Sequence, residues 1–253
     1  MDIQTIINSI APFIPNSAGD DESKFKMALN GNKNFINNLT DIGRVFGFNI
    51  LNETTIESIA HEDTTDLKKL FNTHGSDKSN SHNYDILYAN ILSDRENIKL
   101  VAEIGLGTNN TSVLSNMGSE GRPGASLRAF RDYLPNASIY GGDVDRGILF
   151  QEERIQTFFV DQLRVETINN FFDNLPNDLD LFIDDGLHSP EANLNVLMYG
   201  ISKIKIGGWY VVEDIPDQSM NLWKVVSLLI PNNYDKYLLK ADKGNLFVIN
   251  RNA

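Results

Sequence analysis

The chain has 253 residues, no cysteine and a formal net charge of −12, with 41% hydrophobic and 22% charged residues. Without cysteine, disulfides, thiolate metal sites and a cysteine nucleophile are excluded, and the acidic balance argues against a nucleic-acid or membrane-binding face, which needs clustered Lys and Arg. The composition fits a folded protein with one large domain, and with no signal-like start and no apolar run near the roughly 20 residues that span a bilayer, a cytoplasmic location is expected.

Residues 1–70 read as a small helical appendage, a cap on the main domain or a contact between copies of the chain. The apolar spacing of "IQTIINSIAPFI" and "FKMALNGNKNFINNL" is helical, interrupted by Pro15 and the loop-like "PNSAGDDES". Residues 71–253 have a different texture. Short apolar runs, "IKLVAEIG", "ASIYGGDV", "IQTFFV", "LDLFID" and "GGWYVVED", read as strands. Between them the spacing predicts helices over 124–134, 163–174, 190–204 and 217–229. This alternation predicts an α/β fold, a Rossmann-like doubly wound sheet that is mostly parallel. The final runs "YDKYLLKAD" and "GNLFVINRN" are joined through "DKGN", too short for a crossover, so the sheet should end in an antiparallel hairpin.

The first sheet strand ends in "VAEIGLGTNN", with Glu103, Gly105 and Gly107 at its carboxyl end. Glycines there allow a ligand close to the backbone, and the acid can accept hydrogen bonds. A dinucleotide fingerprint is disfavoured, because its third glycine falls on Asn110 and no helix start follows at once. The next strand-end acid, Asp143, also lies 36 residues beyond Gly107, further than the spacing of about 20 such sites use.

The run "LFIDDGLHSP" ends in two adjacent carboxylates, Asp184 and Asp185, followed by His188. "VVEDI" places Glu213 and Asp214 at the end of the strand expected beside it. Neighbouring strands lie about 4.8 Å apart, so acids from both ends can converge on one ion, and carboxylates without cysteine suit Mg²⁺ or Mn²⁺. Consecutive strand residues point to opposite faces, so Glu213 and Asp214 can share an ion only where the chain leaves strand geometry. A sugar hydroxyl has a pKa near that of water, about 16, against about 6.5 for histidine. Proton transfer between them is uphill by about 12 kcal/mol, and coordination to a metal would remove much of that gap.

Taken in order, "HGSDKSNSHNY", "EIGLG", "PGASLRAFRDYLPNASIYGGDVD", "FVDQ", "FIDDGLH" and "GGWYVVEDI" resemble the class I S-adenosylmethionine-dependent sugar O-methyltransferases related to the macrocin and mycinamicin enzymes. Similar proteins are encoded in bacterial capsule and surface-polysaccharide clusters. The resemblance spans roughly residues 70–250.

The resemblance implies that Glu103, Gly105 and Gly107 line the methionine part of S-adenosylmethionine. It puts Asp143 on the ribose hydroxyls, Asp161 and Gln162 beside the adenine, and Asp184, His82 and Tyr84 at the cofactor. It also implies Asp185, Glu213 and Asp214 as ligands of Mg²⁺ or Mn²⁺, with His188 as general base alongside Asp185. The implied acceptor is an activated sugar, such as a nucleotide-linked hexose or heptose bound for a capsule or other surface glycan. Structural readings stay open beside these: Asp161 as a helix cap, "HGSDKSNSHNY" as a solvated loop, and His188 as decoration of the helix that starts near Pro190. A methyltransferase for a small diol or catechol, and a non-catalytic cofactor-binding subunit, are the alternative functions. The Asn/Gly-rich insertion 108–124 is expected to help roof the substrate site.

Overall fold

The computed structural model describes residues 20–252. The expected helical segment "IQTIINSIAPFI" and Pro15 lie outside the described residues.

In chain order the elements are α1 (Asp21–Val45), β1 (Glu53–Thr55), α2 (Thr65–His74), α3 (Asp85–Ile91), β2 (Leu100–Ile104), α4 (Ala125–Tyr133), β3 (Ser138–Asp143), β4 (Gln151–Glu152), β5 (Ile155–Phe159), α5 (Val165–Asp173), β6 (Leu179–Asp184), α6 (Pro190–Gly200), β7 (Ile204–Ile215), α7 (Met220–Leu229), β8 (Tyr234–Lys240) and β9 (Asn245–Arg251). The nine strands among the described residues form one sheet in the order β1-β8-β9-β7-β6-β2-β3-β5-β4. β3, β5, β6 and β7 run parallel with β2 at the centre, while β9 is antiparallel to both β7 and β8. The parallel sheet and the terminal hairpin are therefore both as expected. Among the described residues no helix is long and apolar enough to cross a membrane.

β6 shows why the sheet is covered on both sides. All six of its residues are buried, and successive side chains alternate between faces. Leu181 and Ile183 belong to the core cluster of Phe71, Tyr88 and Phe130 from α2, α3 and α4. Phe182 instead stacks on Tyr210 at 4.9 Å and meets Phe172 of α5 at 5.2 Å. Burying a large apolar side chain of this kind contributes roughly 1.5–3 kcal/mol, so these layers fix which strand edge can carry polar groups.

Contacts divide the chain into two compact units. One holds the described residues up to Leu51 together with Gln218–Pro231. In it α1 packs with α7, and Asn221 Nδ2 donates to Asn37 Oδ1 at 2.7 Å. α1 is capped by Asp20, whose side chain accepts from the Ser23 N–H at 2.9 Å. The other unit is Asn52–Asp217 with the chain from Asn232 onward. The division thus falls near residue 51 and not near 70. β1 pairs with β8, and Ile56, Leu67 and Phe71 are fully buried in the sheet's core cluster, so residues 53–74 belong to the sheet unit.

Candidate active site

A cleft of about 310 Å³ opens at the carboxyl ends of the parallel strands. Chain order reverses on either side of β2, which pairs with β3 on one edge and β6 on the other, and ligands of open α/β sheets bind at such a point. Of the residues expected at the site, Gly105, Gly107, Asp143, Asp161, Gln162, His82, Tyr84, Asp185, His188, Glu213 and Asp214 line the cleft. Glu103 and Asp184 do not.

Gly105 has φ +100°, and a Cβ built on it would lie 1.9 Å from the Asp185 carbonyl oxygen. The glycine strand is therefore in backbone contact with the segment that carries Asp185 and His188. Asp143 accepts from Leu106 N–H at 2.8 Å with one oxygen and from Asp145 N–H at 2.8 Å with the other. Each carboxylate oxygen keeps a lone pair for a ligand diol, and the residue faces the cleft. Asp161 accepts from Leu163 N–H at 3.0 Å, a local turn bond that leaves its second oxygen.

Asp184 is placed differently from the expectation. It shares the Phe182 face of β6 and is wholly buried. Its oxygens accept from Gln162 Nε2 at 2.6 Å and Asn193 Nδ2 at 3.0 Å. Burial pushes its pKa up to about 6, against the pull of those two donors. Gln162 Oε1 in turn accepts from Leu187 N–H at 2.7 Å. The amide of Gln162 is thus spent on fixing the turn between Asp185 and His188.

Glu103 is buried behind the cleft wall, where it accepts from Ser126 Oγ at 2.8 Å. Its other oxygen lies 3.2 Å from Lys78 Nζ. Lys78 also meets Asp185 Oδ2 at 2.6 Å and Glu213 Oε2. The second oxygen of Glu213 accepts from the Tyr88 hydroxyl. Burial acts to lower the Lys78 pKa, but Asp185, Glu103 and Glu213 outweigh it and hold the ammonium well above its ordinary range. Burial, reinforced by Asp185, pushes Glu213 up, because one ammonium cannot neutralise three carboxylates.

Asp214 escapes strand geometry in the way the sequence demanded. The β7–β9 register shifts between Val212 and Ile215, and Asp214 has φ 55°. Tyr84 donates its hydroxyl to Asp214 Oδ1 at 2.6 Å, and His82 Nδ1 lies 3.2 Å from the same oxygen. His82 also lies 3.5 Å from Asp77 Oδ2. Burial opposes its protonation, but the bonds to Asp214 and Asp77 lift its pKa to about 10. Burial acts to raise the Asp214 pKa, yet His82 and Tyr84 hold it well below the usual range.

Two of the three expected ligands, Asp185 and Asp214, fall into one close group with His188. Asp185, His188 and Asp214 each offer a ligand atom within 4.8 Å of the others. Glu213 is turned inward onto Lys78 and Tyr88. The two carboxylates suit a hard divalent cation, and the imidazole stands beside them. The insertion 108–124 reaches the cleft through Val113, Leu114, Ser115 and Met117, and Ser115 Oγ donates to the Leu187 carbonyl at 3.1 Å. Lys78, Asp77, Leu187 and Met117 were not among the expected site residues.

No family model matches the chain. The MycE methyltransferase of the mycinamycin biosynthetic pathway, solved with Mg and SAH, superposes with a TM-score of 0.61 at 22% identity, covering 76% of this chain and 56% of MycE. The chain has a methyltransferase fold. A second MycE structure, with Mg, SAH and mycinamycin VI, gives a TM-score of 0.59 at 21% identity over 76% of this chain and 54% of that one. A curated relative, the 8-demethyl-8-alpha-L-rhamnosyl tetracenomycin-C 2'-O-methyltransferase of Streptomyces olivaceus, is 29% identical over 143 residues, 56% of this chain and 35% of the relative. This methyltransferase-fold chain thus spans about half the length of MycE and about a third of the curated relative. The resemblance read from the sequence is borne out at the level of the fold.

Proposed function

We propose that the chain transfers a methyl group from S-adenosylmethionine to a hydroxyl of a sugar, with His188 accepting the hydroxyl proton. The observation that carries this reading is the grouping of His188 with Asp185 and Asp214 at the cleft lined by Gly105 and Asp143. The relatives support it, since one is named as an O-methyltransferase of a rhamnosyl compound and MycE was solved with SAH and Mg.

In this reading Gly105 and Gly107 leave room for the donor's methionine end, Asp143 accepts from its ribose hydroxyls, and Asp161 faces the adenine. Six carboxylates line the cleft, those of Asp77, Asp143, Asp161, Asp185, Glu213 and Asp214. That wall suits a donor of net positive charge and a neutral acceptor. S-adenosylmethionine supplies an electrophilic methyl carbon, and Mg²⁺ or Mn²⁺ held by Asp185 and Asp214 would supply a lowered pKa for a bound hydroxyl. The acceptor oxygen bonds to the methyl carbon as the carbon–sulfur bond breaks, and the proton passes to His188 Nε2. Tyr84 and His82 keep Asp214 ionised and aimed, and Gln162 fixes the turn that presents His188. Most of the acceleration then comes from positioning.

The sugar's carrier is the finer part of the proposal. A nucleotide diphosphate, the carrier expected from the sequence, would face the acidic wall described above, so a glycoside with an uncharged carrier is favoured. Neither relative's name points to a capsule or surface glycan.

The test is incubation of the full chain with methyl-labelled S-adenosylmethionine and Mg²⁺ over a panel of free sugars, glycosides and nucleotide sugars. The expected product is a methyl ether on a sugar hydroxyl. Tight binding of S-adenosylhomocysteine with no transfer to any acceptor, in Mg²⁺ or Mn²⁺, would instead favour a non-catalytic cofactor-binding subunit.

A further inference from the structure

Lys78 lies between α2 and α3, in a polar run, yet only 2% of it is exposed. Its ammonium faces Glu103 Oε1 at 3.2 Å, Asp185 Oδ2 at 2.6 Å and Glu213 Oε2. The three acids stand at or just beyond the carboxyl ends of β2, β6 and β7, which are consecutive in the sheet. The ammonium donates to Asp185 and Glu213 and forms an ion pair with Glu103, so it meets an acid from each of the three strands.

A buried ion pair is weak support for stability, because desolvation cancels much of the attraction, and an apolar replacement of similar volume can serve as well. An apolar side chain cannot give direction to three carboxylates. We propose that Lys78 is a positioning residue for the cation-binding side of the site: its ammonium ties the ends of β2, β6 and β7 together and holds the Asp185 carboxylate within reach of His188 and Asp214. The inference rests on the metal-assisted reading given above. Lys78 and Tyr88 between them also hold both oxygens of Glu213. Arginine would not replace Lys78, since a planar fork cannot point one donor at each of three strand ends.

Mn²⁺ alone, titrated by electron paramagnetic resonance, and S-adenosylhomocysteine, titrated by calorimetry, separate this role from a structural one. The proteins compared are the wild type, Lys78→Arg, Lys78→Met and the double variant Lys78→Met/Glu103→Gln, which removes one negative charge behind the cleft. The expected result is Mn²⁺ affinity lower by about tenfold or more in all three variants, equivalent to about 1.4 kcal/mol, with S-adenosylhomocysteine affinity changed by less than about threefold. A charge-balancing, structural lysine would instead give the double variant near-wild-type Mn²⁺ affinity, and that overturns the proposal. So does failure of both Met-containing variants to fold, which makes Lys78 a structural group. Absence of Mn²⁺ binding by the wild type contradicts the metal reading itself and the proposal with it. Wild-type binding that is unchanged in the variants contradicts the role of Lys78 alone.

Discussion

His188 Nε2 lies 3.9 Å from Asp214 Oδ2, and both residues hold a left-handed backbone, with φ of 56° and 55°. Non-glycine residues in that region cost of order 1–3 kcal/mol each, and the surrounding structure has to over-determine them. Here the surroundings are explicit. Gln162 holds the Leu187 N–H next to His188, and Tyr84 holds Asp214. In each case the left-handed residue turns its side chain out of the regular run and toward the other.

Gly105→Ala should break this arrangement at its base. The added methyl meets the Asp185 carbonyl oxygen at 1.9 Å on a backbone with φ +100°, a conformation alanine adopts only with strain. The expected outcome is a loss of more than about 1 kcal/mol in stability, together with loss of S-adenosylhomocysteine binding. Thermal denaturation and calorimetry check both. A variant with wild-type midpoint and affinity would mean that the contact between Gly105 and Asp185 is slack.

Asp143→Ala should weaken S-adenosylmethionine binding by about 1–3 kcal/mol, through loss of a charged acceptor for the ribose hydroxyls. Calorimetric titration reads this directly. An unchanged affinity would remove Asp143 from the cofactor's contacts and leave it as a brace for the Leu106 and Asp145 backbone.

Asp184 gives a prediction in pH. Its pKa rises on folding from 3.8 to about 6. A carboxyl raised in the native state favours folding while protonated, so its contribution is lost as pH climbs through the folded value. The rise corresponds to about 3 kcal/mol. Asp184→Asn cannot ionise, so its stability relative to the wild type should increase by about that amount between about pH 4 and pH 7. Urea denaturation across the window measures it, and a flat difference would show that Asp184 titrates as an ordinary carboxyl.

Sugar methylation should stop in EDTA and return with Mg²⁺ or Mn²⁺, while S-adenosylhomocysteine affinity stays nearly constant. This follows from the convergence of Asp185 and Asp214, with His188 beside them. Undiminished turnover in chelator would sink the metal role and leave the methyl transfer standing.

The parallel strands were legible because each is a continuous apolar run closed by an acid or glycine. The hairpin was legible because "DKGN" is too short to cross the sheet. β1 and β4 were not legible. They are three and two residues long, too short to show an alternation. Asp184 shows a signal that was present and misjudged: alternation puts it on the face of Phe182, two residues back, and so under α5 and α6. Only Asp185, just beyond the strand, is free to turn into the cleft. Lys78 had no local signal, since a lysine among Ser, Asn and Asp reads as solvated. Its burial arises only when three strand ends, from residues 103, 185 and 213, close around it.

His188→Gln removes the group proposed to take the proton from a sugar hydroxyl, and its turnover decides that role. At saturating donor, metal and sugar, kcat should fall by roughly 10²–10⁴-fold, the range for loss of a general base, with S-adenosylhomocysteine affinity little changed. A fall smaller than about tenfold, worth only about 1.4 kcal/mol of barrier, would contradict the account and mean that the proton leaves by another route.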